Sequence, residues 1–190
     1  AISIEDFIGV AKMPKGVLVG TLGQFIIMPM MGFTLAHVLT FPPEIAAGII
    51  LIGCSPAGMA SNVMSYLAKA NLALSVTLTT ITTLLAPFVT PFLMSLLAGE
   101  FIEVDVFKMM WDIIKMVIVP IGAGLAFNKI FRGKAKWLHD AMPYLSMGGI
   151  ALIIVVITAA GRNSLLEIGM MLIVSSLIHN VSGYFLGYWS

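Results

Sequence analysis

Charge and cysteine are both scarce in this chain of 190 residues, and each scarcity excludes a class of protein. Only 10% of the residues are charged, whereas soluble domains carry about 25%. The single cysteine, Cys54, excludes an internal disulfide and a CxxC metal or redox motif. The net charge of +1 comes without a basic patch, so we expect no nucleic-acid partner. With 59% hydrophobic residues, the composition indicates an integral membrane protein in a lipid bilayer.

Catalytic motifs are missing as well. The sequence contains no nucleophile–base pair, glycine-rich phosphate loop or metal-binding motif. It also lacks the cluster of His and Cys that a transition metal prefers. We therefore expect that the protein is not an enzyme, and no pattern in the sequence indicates its oligomeric state.

Long apolar runs are what the sequence has in abundance. They predict an all-α membrane protein with about six transmembrane helices, since one span needs about 20 apolar residues. The predicted spans are 16–38, 45–69, 72–97, 109–127, 142–160 and 165–188. Basic and non-basic loops alternate between them, which is the pattern of a multi-pass protein. Residues 1–15 mix charged and apolar side chains and predict an amphipathic linker at the membrane surface.

The second of these spans, 45–69, is predicted to be discontinuous. Its centre contains Pro56, which lacks an amide hydrogen, and two glycines that loosen the backbone. Ser61 and Asn62 follow where a second helix could be capped. A break inside lipid must be buried in protein or line a wet cavity, and broken helices carry the binding sites of many secondary transporters. The alternative interpretation is a proline-kinked helix without a ligand.

Polar side chains in the first and third spans are candidates for one wall of such a site. Ser75, Thr79 and Thr82 recur at i, i+4 and i+7, on one face of a helix. Gln24 lies near the middle of the first span. The alternative interpretation is helix packing, in which the hydroxyls bond their own carbonyls and Gln24 bonds a neighbouring helix.

The residue types indicate the chemistry of this site. The candidate ligands of a cation are Gln24, Ser61, Asn62, Ser75 and Thr79. They offer neutral oxygens, which suit Na⁺ better than Ca²⁺, because Ca²⁺ prefers several carboxylates. The amino end of the second half-helix, near Gly58 and Met59, would favour an anion. Sodium and an organic anion in one pocket predict sodium-coupled uptake of an organic acid.

Two further polar residues, His179 and Asn180, lie inside the last apolar span and must face protein or water. They are candidate contacts of the substrate. A satisfied structural histidine is the alternative. A proton-coupled carrier of organic anions would need a titratable group in the core, and His179 is the candidate for it. A membrane scaffold or sensor that does not transport is the alternative from another functional class.

Residues 53–91, GCSPAGMASNVMSYLAKANLALSVTLTTITTLLAPFVTP, resemble the signature region of the bile acid:sodium symporter family. QFIIMP in the first span and the HN pair at 179–180 fit the same family, and the resemblance covers essentially the whole chain. It implies sodium-coupled symport by alternating access. The substrate would be a bile acid or a smaller anion resembling pantoate or a keto acid, and the protein would lie in a bacterial inner membrane.

The resemblance also implies an architecture of ten helices in two inverted repeats, of which this chain would be a part. The implied domains are a surface linker (1–15), core helices (16–98, with the broken helix 45–69), panel helices (106–160) and a further core helix (164–190). Ser61, Asn62, Ser75 and Thr79 would belong to one sodium site, and Gln24 to a second. The family's second broken helix, whose Glu and Gln complete both sites, is not among these residues. We therefore expect the chain to be a segment of a longer protein.

Overall fold

The computed structural model describes residues 14–131, 147–149, 151–152 and 154–189. All regular structure within those ranges is helical, with no strand. The helices are α1 (Pro14–Leu22), α2 (Met28–Val38), α3 (Pro43–Cys54), α4 (Met59–Leu67), α5 (Leu72–Leu97), α6 (Val106–Phe131) and α7 (Arg162–Trp189), and the described residues between 147 and 160 are helical too. Most of the predicted surface linker (1–15) and the first residues of the span predicted at 142–160 lie outside the described ranges.

A π-helical turn, Gly23–Ile27, joins α1 to α2 and makes one continuous helical rod from Pro14 to Val38. The amide of Met28 bonds the carbonyl of Gly23 across this turn. Pro29 follows immediately, and its ring would clash with the carbonyl of the preceding α-helical turn. A π-helical turn holds one more residue than an α-helical turn, which is one way to accommodate a proline inside a continuous helix. Turns of this kind are frequent at functional sites.

Helices α2 and α3 form a tightly packed antiparallel hairpin. Gly32 lies so close to α3 that a Cβ there would be 2.9 Å from the Ile49 carbonyl oxygen. A Cβ on Gly53 would overlap the Met28 carbonyl. Small residues at such contacts are the usual means by which membrane helices pack, because lipid supplies no hydrophobic drive between them.

The predicted break in the second span is confirmed, since α3 ends at Cys54 and α4 begins at Met59. We call residues 55–58 the break segment. The residue that caps α4 is Gly58, which has extended backbone angles, and no side chain caps the helix. The prediction that Asn62 or Ser61 caps the second helix is therefore wrong. The Ser61 hydroxyl lies inside the first turn and donates to the Gly58 carbonyl at 2.7 Å.

A short turn reverses the chain between α4 and α5. Lys69 adopts a positive φ of 54°, and the amide of Ala70 bonds the Ser65 carbonyl at 2.9 Å. This is a Schellman motif with lysine where glycine is usual. Asn71 then caps α5 by accepting a hydrogen bond from the Leu74 amide at 3.0 Å. The motif that ends α4 and the cap that begins α5 together place α4 alongside the first turns of α5.

Within the described residues, three stretches are long and apolar enough to cross a membrane: Pro14–Val38, Leu72–Leu97 and Leu165–Trp189. The span predicted at 72–97 therefore has the boundaries of α5. Contacts divide the chain into two units, one ending at Lys115 and resuming at Ile178, the other Met116–Leu177. The count of six spans, the ten-helix repeat and the core and panel domains stay predictions.

Candidate functional site

The break segment would expose backbone groups to lipid if neighbouring side chains did not bond them. Thr90 donates to the Cys54 carbonyl at 2.8 Å, and Gln24 Nε2 donates to the Ser55 carbonyl at 2.8 Å. Thr82 Oγ1 accepts from the Ala57 amide at 3.2 Å. Thr82 and Thr90 are only 1% and 3% exposed. Side chains therefore bond three backbone groups at or beside the break, which is the kind of support that a discontinuous helix in a membrane requires.

The packing of α1 on α5 explains why Gln24 and Thr82 lie at the same height along their helices. Gly16 faces Leu74 and Gly20 faces Leu78, so the two helices run in the same direction with a fixed offset. Gln24 is four residues after Gly20, and Thr82 is four residues after Leu78. One further turn of each helix therefore brings both polar side chains to the break segment from two sides.

Four side-chain oxygens meet where α4 lies against α5, and we call them the oxygen cluster: Asn62, Ser65, Ser75 and Thr79. The Ser75 hydroxyl donates to Asn62 Oδ1 at 2.7 Å, and Thr79 Oγ1 lies 3.2 Å from the same atom. Ser65 donates to Ser75 Oγ at 3.2 Å. Asn62 and Ser65 are three residues apart and Ser75 and Thr79 four, so each pair shares one face of its helix. Thr79 is buried and the other three side chains are half-buried, and the cluster carries no formal charge.

Gln24 also lines a mostly apolar cleft of about 170 Å³ beside the π-helical turn. Gly23 and Met28 line this cleft from the first rod, and Gly183 and Gly187 line it from α7. Because a carbonyl accepts only from a donor, the Gln24 nitrogen faces Ser55, and Oε1 is turned away from that carbonyl. Gln24 thus bonds a neighbouring helix while its oxygen points elsewhere.

Comparison with known proteins places this arrangement in a family. The sequence profile of the sodium bile acid symporter family matches residues 1–168. The chain belongs to the sodium bile acid symporter family. It is 43% identical over 184 residues to the uncharacterized sodium-dependent transporter YocS of Bacillus subtilis, covering 97% of this chain and 57% of that protein.

Plant members of the sodium bile acid symporter family are also similar. The chain is 33% identical over 187 residues to the probable sodium/metabolite cotransporter BASS1 of Arabidopsis thaliana, covering 98% of this chain and 47% of that protein. It is 35% identical over 191 residues to the probable sodium/metabolite cotransporter BASS6 of Arabidopsis thaliana, covering 97% of this chain and 47% of that protein. The chain thus spans about half the length of the curated relatives it matches. The prediction of a sodium symporter family is confirmed.

The structure brings together three of the sodium ligands predicted from this family, Asn62, Ser75 and Thr79. Ser61 is adjacent in sequence, but its hydroxyl donates to Gly58. Gln24 lies at the break segment and bonds Ser55. The predicted face of Ser75, Thr79 and Thr82 does line the broken helix, and Thr79 and Thr82 also bond carbonyls of their own helix. The bonds of Thr79 and Thr82 to their own helix agree with the packing interpretation, and a role of this face in a binding site stays a prediction.

The predicted substrate contacts occupy two places. Gly58 and Met59 begin α4, where the first amides have no carbonyl one turn earlier to bond. His179 is 5% exposed and its Nε2 lies 3.2 Å from the Met28 carbonyl, which is the contact of a satisfied structural histidine. Asn180 follows it on α7 and is exposed. A role for any of the four in binding substrate stays a prediction.

Sequence reasoning missed Ser65, and it counted Thr90 among the hydroxyls of the third span without placing it at the break. Ser65 could have been found from its spacing, because it lies three residues after Asn62 on the same helical face. Thr90 had no comparable signal. It bonds Cys54 across 36 positions in sequence, and only the packing of α3 on α5 places the two together.

Proposed function

We propose that the intact protein is a symporter that couples Na⁺ to the uptake of a small organic anion by alternating access. The oxygen cluster carries this proposal, together with membership of the sodium symporter family. The relatives named sodium/metabolite cotransporters support a metabolite, and a bile acid or a smaller pantoate-like or keto-acid-like anion fits that class. Helices within 16–98 and 164–190 would form the core domain and those within 106–160 the panel. We place the protein in a bacterial inner membrane.

The hydrogen bonds of the cluster favour binding of a cation at Asn62. Thr79 has two acceptors for its one proton, Asn62 Oδ1 at 3.2 Å and the carbonyl of Ser75 at 2.9 Å. When the proton goes to the carbonyl, lone pairs of Thr79 Oγ1 and Asn62 Oδ1 both face the space between them. Two neutral acceptors that face one point suit a monovalent cation, which needs less negative charge than Ca²⁺.

The first amides of α4 supply the complementary anion site in this proposal. Helix amino ends carry a partial positive charge and orient N–H groups toward an anion. Asn62 lies in the first turn of the same helix, so a cation at Asn62 and an anion at Met59 would approach from one end of α4. Each ion lowers the electrostatic cost of the other, which is the physical basis of coupling.

Binding of radioactive ²²Na⁺ to the purified full-length protein tests the proposal, with unlabelled K⁺ and Na⁺ as competitors. We expect Na⁺ but not K⁺ to displace the label. Asn62→Ala should weaken Na⁺ binding at least about tenfold, equivalent to 1.4 kcal/mol, because it removes the atom on which two hydroxyls converge. Thr80→Val is the matched control, since Thr80 is exposed and its hydroxyl bonds only its own helix at Val76.

Equal displacement by K⁺ and Na⁺, or unchanged binding by Asn62→Ala, would contradict the sodium site. Uptake of pantoate or a bile acid into liposomes then tests transport. Uptake that follows pH and ignores Na⁺ would select the proton-coupled carrier, with His179 as its titrating group. No uptake of either anion by a protein that binds Na⁺ would favour a sensor or scaffold.

A further inference from the structure

Ser65 is the member of the oxygen cluster for which neither the sequence nor the family resemblance gave a role. It is half-buried on the last turn of α4, and its hydroxyl donates to Ser75 Oγ at 3.2 Å. Within the described residues this is the hydrogen bond that its side chain makes to another helix. Ser65 does not contact Asn62 Oδ1, so any effect it has on the site acts through Ser75.

When a cation binds at Asn62, the Ser75 hydroxyl requires another hydrogen-bond acceptor. A cation at Asn62 Oδ1 repels the hydrogens that now point at that atom, so both hydroxyls must redirect them. Thr79 has the Ser75 carbonyl of its own helix, at 2.9 Å, as an acceptor. Once a cation occupies Asn62 Oδ1, the acceptor of this cluster that α4 still offers to the Ser75 hydroxyl is Ser65 Oγ, at 3.2 Å.

A reversal of one hydrogen bond meets this need. Ser75 turns its hydrogen from Asn62 to Ser65 Oγ, which frees a lone pair of Ser75 for the cation. A hydroxyl is both donor and acceptor, so Ser65 can receive that hydrogen bond as readily as it now donates one. Its own hydrogen then turns to the carbonyl of its helix four residues earlier, that of Ser61, as helical serines commonly do.

We propose that Ser65 is a positioning residue of the sodium site, which takes over the hydrogen bond of Ser75 when Na⁺ binds at Asn62. The proposal rests on the proposed sodium symport. Ser65 Oγ then accepts the hydrogen bond of Ser75, just as the Ser75 carbonyl accepts that of Thr79. Removal of the Ser65 hydroxyl leaves Ser75 oriented toward Asn62 and makes it compete with the ion.

The test measures ²²Na⁺ affinity of the full-length protein for wild type, Ser65→Ala and Ser65→Thr. We expect Ser65→Ala to weaken Na⁺ binding about three- to tenfold, the range of one hydrogen bond between membrane helices. Ser65→Thr keeps the hydroxyl and should restore affinity to within twofold of wild type. The matched control is Ser95→Ala, at an exposed serine on α5 away from the cluster, which should bind Na⁺ as wild type does.

Thermal stability in K⁺ and in Na⁺ separates positioning from a structural role. We expect Ser65→Ala to melt close to wild type in K⁺, and to gain less stability than wild type when Na⁺ replaces K⁺. An equal loss in both salts, with unchanged Na⁺ affinity, would overturn the positioning role. If Ser65→Thr behaves like Ser65→Ala, the hydroxyl is not the cause and the proposal also fails. Wild type that binds no Na⁺ would remove the proposed function itself, whereas normal wild type with an unaffected Ser65→Ala would remove this inference alone.

Discussion

Two glycines on α3 offer a sharp test of the packing that holds the broken helix. Gly53 and Gly48 lie on the same helix, five residues apart. A Cβ on Gly53 would overlap the Met28 carbonyl and approach the Pro29 Cα to 3.0 Å, whereas a Cβ on Gly48 would meet nothing within 4 Å. We therefore expect Gly53→Ala to destabilise the protein and Gly48→Ala to stabilise it.

The magnitudes follow from the atoms involved. The atoms that obstruct Gly53→Ala belong to backbone, so they cannot rotate away and the helices must separate by about 0.5 Å, which forfeits a quarter or more of each opened contact. Overpacking of this kind costs about 1–3 kcal/mol. Gly48→Ala should gain up to about 1 kcal/mol from helix propensity. The two variants should then differ by roughly 5–10 °C in melting temperature.

Melting of the purified full-length variants, followed by size-exclusion chromatography after heating, measures this difference. Gly48→Ala serves as the control for helix propensity, because it makes the same chemical change without a neighbour. If Gly53→Ala melted at or above the wild-type temperature, the close approach of α2 and α3 would be incorrect. Equal shifts in the same direction for both variants would show that packing does not distinguish the two positions.

Other substitutions test the turn and the bonds that hold the break segment. Thr90→Val removes the donor to the Cys54 carbonyl and should destabilise the protein by about 0.6–1.7 kcal/mol in the same melting assay. The control variant Thr80→Val should melt as wild type does. Equal stability of the two variants would contradict the role of Thr90. Lys69→Gly should stabilise by about 0.5–1 kcal/mol, because glycine adopts positive φ without strain, whereas Lys69→Ala should change little. A lower melting temperature for Lys69→Gly than for Lys69→Ala would refute the strained turn.

The features that were predicted correctly from the sequence depend on local composition and on the helical repeat. Pro56 between two glycines cannot continue a helix, and the break lies there. Ser75, Thr79 and Thr82 share a face because of the helical repeat alone, and they line the broken helix. Such patterns need no knowledge of tertiary packing.

The features that the sequence did not predict depend on contacts between distant residues or on small differences in backbone energy. Gln24 reaches Ser55 because Gly16 and Gly20 set the offset of α1 against α5. Pro29 indicates a kink, but an α-helical kink and a π-helical turn differ by one residue in a turn, which composition does not resolve. Ser61 and Asn62 were expected where α4 begins, yet the helix already begins at Met59, so both side chains lie inside its first turn.

The contact between α2 and α3 has a mechanical consequence. With no side chain between the backbones at Gly32 and Gly53, the two helices cannot slide or tilt against each other without a steric clash. In the alternating access that we propose, they should move as one rigid body. Any rotation would then fall on the four non-helical residues 55–58, where Gln24 bonds Ser55 and Thr82 bonds Ala57, while Thr90 fixes the end of α3 at Cys54.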